Sequence, residues 1–404
     1  MHPLVSTDQL AQRFARFKQL RETTPVVYDD ATQRWHVFRY ADAAQVLTDP
    51  KHFAPIGSDG ASLPLFTNNM IAPSRQPLAR TLVRQAAPPR LVIELMPQIT
   101  ATAQALLDRA RPLGVLDVIG DLAAPLSVAV FAELLGIPVE HRQRLTQWMD
   151  VLGADQATTH GALRPATDLH RAAAAAVQEL AAYIAQLLEE RRRQPLRDLI
   201  SRLLAAEVAG HRLSDSEIVA CCCALLLAGH TATTHLLGNA VLCLTEYPEI
   251  IAHLRHEPPP VYSTVEEVLR YLPPVWNVAR TTLADVQLGE QRIPAQAQVW
   301  VWVASANRDA VQFPNPDQFD IERIPNRHLS FSQRSQAWLG AALARQTAGR
   351  TLTMLVKLLP NLKRMPDGAL EVVDSSTFFG VKRLPIAFMP SHPSTGWAND
   401  RLSG

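Results

Sequence analysis

The sequence predicts a predominantly helical α+β fold in one domain spanning residues 1–404, with a long central helix and small β-sheets. Three features carry that prediction. Between Leu91 and Glu207, alanine and leucine recur at three- and four-residue spacings, the period of packed helices, with breaks at Gly114, Pro138 and Pro195. Ser214, followed three residues later by Glu217, forms a capping box ahead of a long apolar run, so a helix starts there, continues past Leu244 and ends before Pro248. Beyond Pro273 and Pro274 the pattern switches to alternation in VQLGEQRIPAQAQVWVWVAS, which reads as a small sheet.

From the N-terminus, MHPLVSTDQLAQRFARFKQL has a helical pattern and lacks the apolar run and small-residue cleavage site of a secretory signal, so a cytoplasmic protein is expected. VVYDDATQRWHVFRY reads as a hairpin and Ala41 to Leu47 as a short helix. Residues 56–78 are irregular but carry Leu65, Phe66 and Met70, either a surface loop pinned by its apolar side chains or the lid of a pocket. The alanine run 172–176 favours a helix that another can approach closely. Arg191, Arg192 and Arg193 follow Glu189 and Glu190 as a solvated, dipole-compatible helix end. Ile218 to Ala228 is too short to span a bilayer before Gly229 and His230 interrupt it, and reads as a buried core helix. Glu266 to Leu272 forms a helix broken by Pro273 and Pro274. Short strands are expected around Leu370, Val372 and Val373 and around Leu384, Ile386 and Phe388, and no linker separates domains.

Composition excludes several classes of partner. With 47% hydrophobic residues the chain can bury a large core, and a net charge of +1 offers no global attraction to nucleic acid or anionic membrane. Cys221, Cys222 and Cys223 are consecutive and point in different directions around a helix, so with Cys243 they form neither a thiolate cluster nor a disulfide framework; they read as small apolar core residues.

Several segments, in order, resemble the bacterial cytochrome P450 family of haem-thiolate monooxygenases. LLLAGHTATTHLLGNAV resembles the helix crossing above the haem, EEVLRYLPPV the helix with a Glu-x-x-Arg pair, and ASANRDAVQFPNPDQFDIER with PNRHLSF the meander before the ligand loop. LGAALAR, WHVFRYADAAQVLTD, ARTLVRQAAPPR and GVKRLPIAF extend the likeness over almost the whole chain. The resemblance implies the fold named above, with Glu267, Arg270 and Arg323 as its structural ion network.

The chemistry the resemblance would imply has been stripped out. The family's ligand loop usually reads Phe-Gly-x-Gly-x-His-x-Cys-x-Gly. In FSQRSQAWLG the terminal Phe331 and Gly340 remain, Ser332 and Arg334 replace two glycines, Gln336 replaces the histidine, and Trp338 occupies the axial cysteine position. Indole has no basic lone pair for iron, and without the thiolate's electron push oxygen activation of the P450 kind fails. On the central helix, the unshifted alignment puts Thr231 in place of the family's acid and Ala232 in place of its alcohol. In APSRQPLAR, Gln76 takes a propionate-side histidine position while Arg80 stays, and Arg280 matches a second propionate-facing arginine. Those arginines are inherited haem anchors or groups reused for a substrate carboxylate, a phosphate or a nearby acid.

The expectation is therefore a haem-free relative with no metal, taking a small, largely apolar molecule through a redox-neutral cyclisation, rearrangement or dehydration, with no ferredoxin requirement. By resemblance, its pocket candidates are Phe66, Asn68, Asn69 and Met70 from the irregular segment, His230, Thr231 and Thr233 from the long helix, Trp276 and Asn277 from the Pro-Pro turn, and Phe378 and Phe379 beyond. His230 is a candidate acid or base, and these side chains equally suit a filled core. Two alternatives stand beside this expectation: an auxiliary protein that stabilises or activates a biosynthetic partner such as a glycosyltransferase, and a haem protein with an unusual axial ligand.

Overall fold

One helix and a set of short elements open the chain before long helices take over. The computed structural model describes residues 8–55, 71, 75–158, 168–256, 261–331, 338–365, 370–373 and 375–391. Helix α1 (Asp8–Thr23) leads into an antiparallel hairpin of β1 (Val26–Asp29) and β2 (Arg34–Val37), with Tyr28 opposite Trp35. Asp29 shapes its turn by accepting from Ala31 N and Thr32 Oγ1. Helix α2 (Tyr40–Thr48), strand β3 (Phe53–Pro55) and helix α3 (Gln76–Ala86) follow. Helix α3 begins inside the stretch expected to be irregular because Pro77, which has no N–H to donate, sits in its first turn, where none is needed.

The helical body comprises α4 (Pro89–Ala110), α5 (Ala124–Leu135), α6 (Arg142–Thr158), α7 (Asp168–Arg193), α8 (Leu199–Ala205), α9 (Asp215–Glu246), α10 (Pro248–His256) and α11 (Val261–Tyr271). A three-residue strand, β4 (Val115–Asp117), interrupts this run after Gly114, whose φ of 70° turns the chain. Three residues are too few to show a period, so the sequence reading missed it.

Helix α9 is the axis of this body. Its start is fixed by the expected capping box, with Glu217 N donating to Ser214 Oγ at 3.3 Å and Ser214 N donating to Glu217 Oε2 at 2.8 Å. Arg75 clamps both carboxylate oxygens of Glu217 at 2.8 Å, tying the start of α3 to the start of α9. Two glycines let neighbours touch its backbone: a Cβ on Gly229 would lie 2.0 Å from the Phe131 ring, and one on Gly238 would lie 2.5 Å from Ile119 Cδ1. Helix α9 and the segment Val118–Leu135 are long and apolar enough to cross a membrane, but most of each lies buried inside the fold, as core helices do.

After α11 come β5 (Val278–Thr282), the hairpin β6 (Val286–Leu288) with β7 (Gln291–Ile293), β8 (Gln298–Val301), the single turn α12 (Val303–Ala306), α13 (Trp338–Leu358), β9 (Lys363–Arg364) and β10 (Pro385–Ala387). The main sheet runs β1-β2-β8-β5-β3, parallel only between β2 and β8. It shields its own small core of Val37, Val46, Val299 and Val301. A second sheet, β4-β10-β9, closes the far end, while Val372 and Val381 form only an isolated bridge.

Candidate functional site

The most informative feature of the interior is one uncovered face on an otherwise buried helix. Between Ile218 and Leu244 the residues of α9 that are not buried are Cys221, Ala224, Leu225, Ala228, Gly229, Thr231, Ala232 and His235, with Ala228 exposed. At 3.6 residues per turn all but Gly229 fall within about 60° of the direction of Ala228, and the stripe runs about 21 Å. This stripe is the less buried side of α9, the side on which a ligand chamber would have to lie.

The helical period divides the expected set on α9. Thr231 borders the open stripe, whereas His230 and Thr233 turn away from it and are 9% and 3% exposed. The His230 carbonyl accepts from Ser127 Oγ at 3.2 Å. His235, which the sequence marks only as a packed helix residue, lies on the stripe. Its ring abuts the backbone of Gly380, where a Cβ would come within 2.1 Å of Nδ1, and that nitrogen has no hydrogen-bond partner. Burial pulls both imidazoles from 6.5 to about 4, with the neighbouring His235 charge adding to the effect at His230, so both are neutral at physiological pH. A neutral imidazole of such low basicity accepts a proton weakly and has almost none to give.

Trp276 and Phe379 stack on each other, with centroids 5.1 Å apart and planes 14° from parallel, and Phe14 and Phe17 of α1 pack on Trp276. Trp276 is 1% exposed and borders a surface groove of about 590 Å³ beside Arg13 and Arg16 of α1. Asn277 Nδ2 donates to the Ser376 carbonyl at 2.6 Å, and Val275 bridges Phe378. Asn239 Nδ2 reaches the carbonyls of Leu272 and Phe379, so this hairpin-like layer is pinned to α9 below the chamber. Phe378 is half-buried. Phe66, Asn68, Asn69 and Met70 lie outside the described residues.

Below the chamber, the segment leading to the ligand position is held by two carboxylates on α11. Glu267 receives Arg270 Nε and Nη2 at 2.8 and 2.7 Å, Asp320 N at 2.9 Å, Asn326 Nδ2 at 3.0 Å and Arg323 Nε at 3.4 Å. Glu266 joins His328 Nε2 at 3.1 Å and Arg345 Nε of α13 at 2.6 Å. Burial alone would raise the Glu266 carboxyl, but those two partners outweigh it and hold it near 2. Asn307 ties Leu329 N and Ser330 Oγ, and Arg345 caps the Phe331 ring at 4.6 Å. The chain is thus braced up to Phe331 and resumes in α13. Residues 332–337 and the side chains of Trp338 and Leu339 lie outside the described residues.

The donor chemistry does not fit a haem-thiolate. Residues 331–340 contain no cysteine, and all four cysteines sit on α9. Burial holds each of their thiols protonated, pushing Cys221 and Cys223 to about 12. Among the described residues no three His, Cys, Asp or Glu side chains gather to hold a metal. The propionate-side arginines are present. Arg280 on β5 is 6% exposed and its Nη1 donates to the adjacent Ala279 carbonyl at 2.9 Å, while Arg80 Nη2 donates to Gln76 Oε1 at 3.4 Å.

Comparison with known proteins agrees with the fold. Residues 159–340 match the family model described as Cytochrome P450. The chain is 35% identical over 376 residues to Cytochrome P450 109 of Bacillus spizizenii, covering 92% of this chain and 91% of that protein. It is 35% identical to the cyclomarin C epoxidase CymV of Salinispora arenicola, covering 92% and 94%, and 38% identical to the erythromycin C-12 hydroxylase of Saccharopolyspora erythraea, covering 81% and 82%. The solved structure of CYP109E1 from Bacillus megaterium in complex with testosterone superposes with a TM-score of 0.84 at 33% identity, over 93% of this chain and 99% of that one.

Proposed function

Because the chain belongs to the cytochrome P450 family, we propose that it keeps the family's substrate chamber but works without haem, on a largely apolar specialised metabolite, by a redox-neutral cyclisation, rearrangement or dehydration. One conjunction carries this reading: a sequence segment, residues 331–340, that has no cysteine, and a central helix one face of which is less buried than the rest. A chain that had lost both ligand and substrate would gain by filling that space, since an apolar void forfeits packing. Relatives named for cyclomarin C epoxidation and erythromycin C-12 hydroxylation support a setting in antibiotic biosynthesis.

The chemistry available is that of a shaped wall. Leu225, Ala228 and Ala232 offer apolar surface on which a flexible substrate folds into one reactive conformer, an entropy saving that accelerates cyclisation without an oxidant. His235 Nδ1 is sealed against the Gly380 backbone, so that nitrogen offers no base to a substrate on this wall. Thr231 supplies a hydroxyl where the family carries an acid.

The test is conversion by the isolated chain of the intermediate that accumulates when its gene is deleted, in oxygen-free buffer without reductant. The expected product has the mass of the substrate or is lighter by one water. A strict need for oxygen and electrons overturns the reading. Conversion seen only when a partner transferase is added assigns the chain an auxiliary role instead.

A further inference from the structure

The groove beside α1 gathers hydrogen-bond donors around an aromatic floor. Phe17, Trp276 and Trp302 all line it, and the Phe17 ring touches both indoles, with centroids 5.8 Å from Trp276 and 5.2 Å from Trp302. Helical spacing puts Arg13, Arg16 and Phe17 on one face of α1, so two exposed guanidiniums stand at the rim above a buried ring. Ser376 adds a hydroxyl, and no residue of α9 belongs to the lining. At about 590 Å³ the groove has the size of a small-molecule site.

The charge in this groove is one-sided. None of its lining residues is acidic, and neither arginine pairs with a carboxylate among the described residues. Arg16 Nη1 donates to Gln19 Oε1 at 3.0 Å and the Arg13 guanidinium lies over the Trp276 ring at 5.8 Å, which leaves most donors of both forks open. Like charges three residues apart on a helix repel, so an anion between them relieves a cost that the free chain carries. The two indoles also differ. Trp302 Nε1 donates to His36 Nδ1 at 3.0 Å, whereas Trp276 Nε1 has no partner although Trp276 is 1% exposed. A buried donor left unmatched is costly and marks a place where an acceptor is missing.

We propose that this groove is a second ligand site, apart from the α9 face, and that its ligand is a small aromatic carboxylate. The ligand's ring packs on Phe17, Trp276 and Trp302, and its carboxylate receives the Arg13 and Arg16 guanidiniums, whose planar forks match a flat anion. The site uses nothing from residues 331–340, so it stands whether or not the chain holds haem.

Calorimetric titration of the full chain with cinnamate, cinnamyl alcohol and octanoate tests charge and ring separately. Cinnamate is expected to bind, about 5- to 10-fold more tightly than the alcohol and about 2- to 10-fold more tightly than octanoate, the ranges for a partly exposed charge-assisted contact and for aromatic stacking. Arg13→Gln combined with Arg16→Gln is expected to remove the preference for acid over alcohol, while Arg90→Gln on α4, a side chain 74% exposed, keeps it. Both rim side chains are exposed, so the double variant is expected to unfold at the parent's urea concentration, and a lost preference then reports the ligand contact. No cinnamate binding, binding of either comparator as tight as that of cinnamate, or an acid preference that survives the double variant overturns the proposal. An acid preference that Arg90→Gln abolishes as well overturns it too, since net charge alone would then account for the effect.

Discussion

Replacing Arg270 with methionine tests whether the α11 network braces the segment before Trp338. The guanidinium is fully buried and fully used, donating to both oxygens of Glu267 and to the carbonyls of Asn307, Pro316 and Gln318 at 3.0, 2.8 and 2.9 Å. Methionine keeps most of the stem's volume, so packing contributes little to the loss. Glu267 retains Asp320 N, Asn326 and Arg323, and the Gln318 carbonyl retains Arg323 Nη2 at 3.3 Å, so neither is stranded. The carbonyls of Asn307 and Pro316 lose the donor that reaches them, each at about 1–2 kcal/mol, and two charge-assisted bonds to Glu267 disappear. Together these losses come to at least about 4 kcal/mol, at or above the range for breaking a buried ion pair. Arg323→Met is the comparison: its side chain is 8% exposed, and it removes a long 3.4 Å contact with Glu267 and bonds to the carbonyls of Pro314, Asn315 and Gln318, a smaller loss of about 2 kcal/mol. Urea unfolding followed by tryptophan fluorescence and far-ultraviolet dichroism reads both variants. A loss for Arg270→Met below about 1 kcal/mol, or no larger than that of Arg323→Met, refutes the argument that this network carries the fold beneath the chamber.

Three further outcomes follow from local geometry. His235 is neutral when folded and titrates near 4, against 6.5 for the free group, so the unfolded chain takes the proton first. Its contribution is complete above pH 6.5 and is lost as pH falls toward 4, by on the order of 3 kcal/mol, and His235→Asn should flatten that part of the pH–stability curve. Gly380→Ala drives a methyl to 2.1 Å from His235 Nδ1 and should cost about 1–3 kcal/mol; a double-mutant cycle with His235→Ala should recover most of the loss. Ser214→Ala removes the α9 cap and should lower stability by about 1 kcal/mol in the same urea titration.

The long elements were legible in the sequence because their signals are periodic and punctuated. The capping box at Ser214, the stop before Pro248 and the alternation over the β6 to β8 region each correspond to an observed boundary. Short β4 had no period to read, and α3 was hidden by a proline that looks like loop chemistry. The Glu267–Arg270–Arg323 cluster was readable from resemblance and is present at bonding distance. The less buried face of α9 was harder. Which residues of α9 face open space depends on what packs against its other sides, so His230 drew notice while His235, one and a half turns on, occupies the open face.

The account turns on what residues 331–340 can offer to iron. The most direct measurement is the absorption spectrum of the chain purified from haem-supplemented cells, with and without carbon monoxide after reduction, alongside Trp338→Cys. The account expects a colourless protein with no thiolate-type carbonyl band. One tightly held porphyrin per unaltered chain, with such a band, would contradict it.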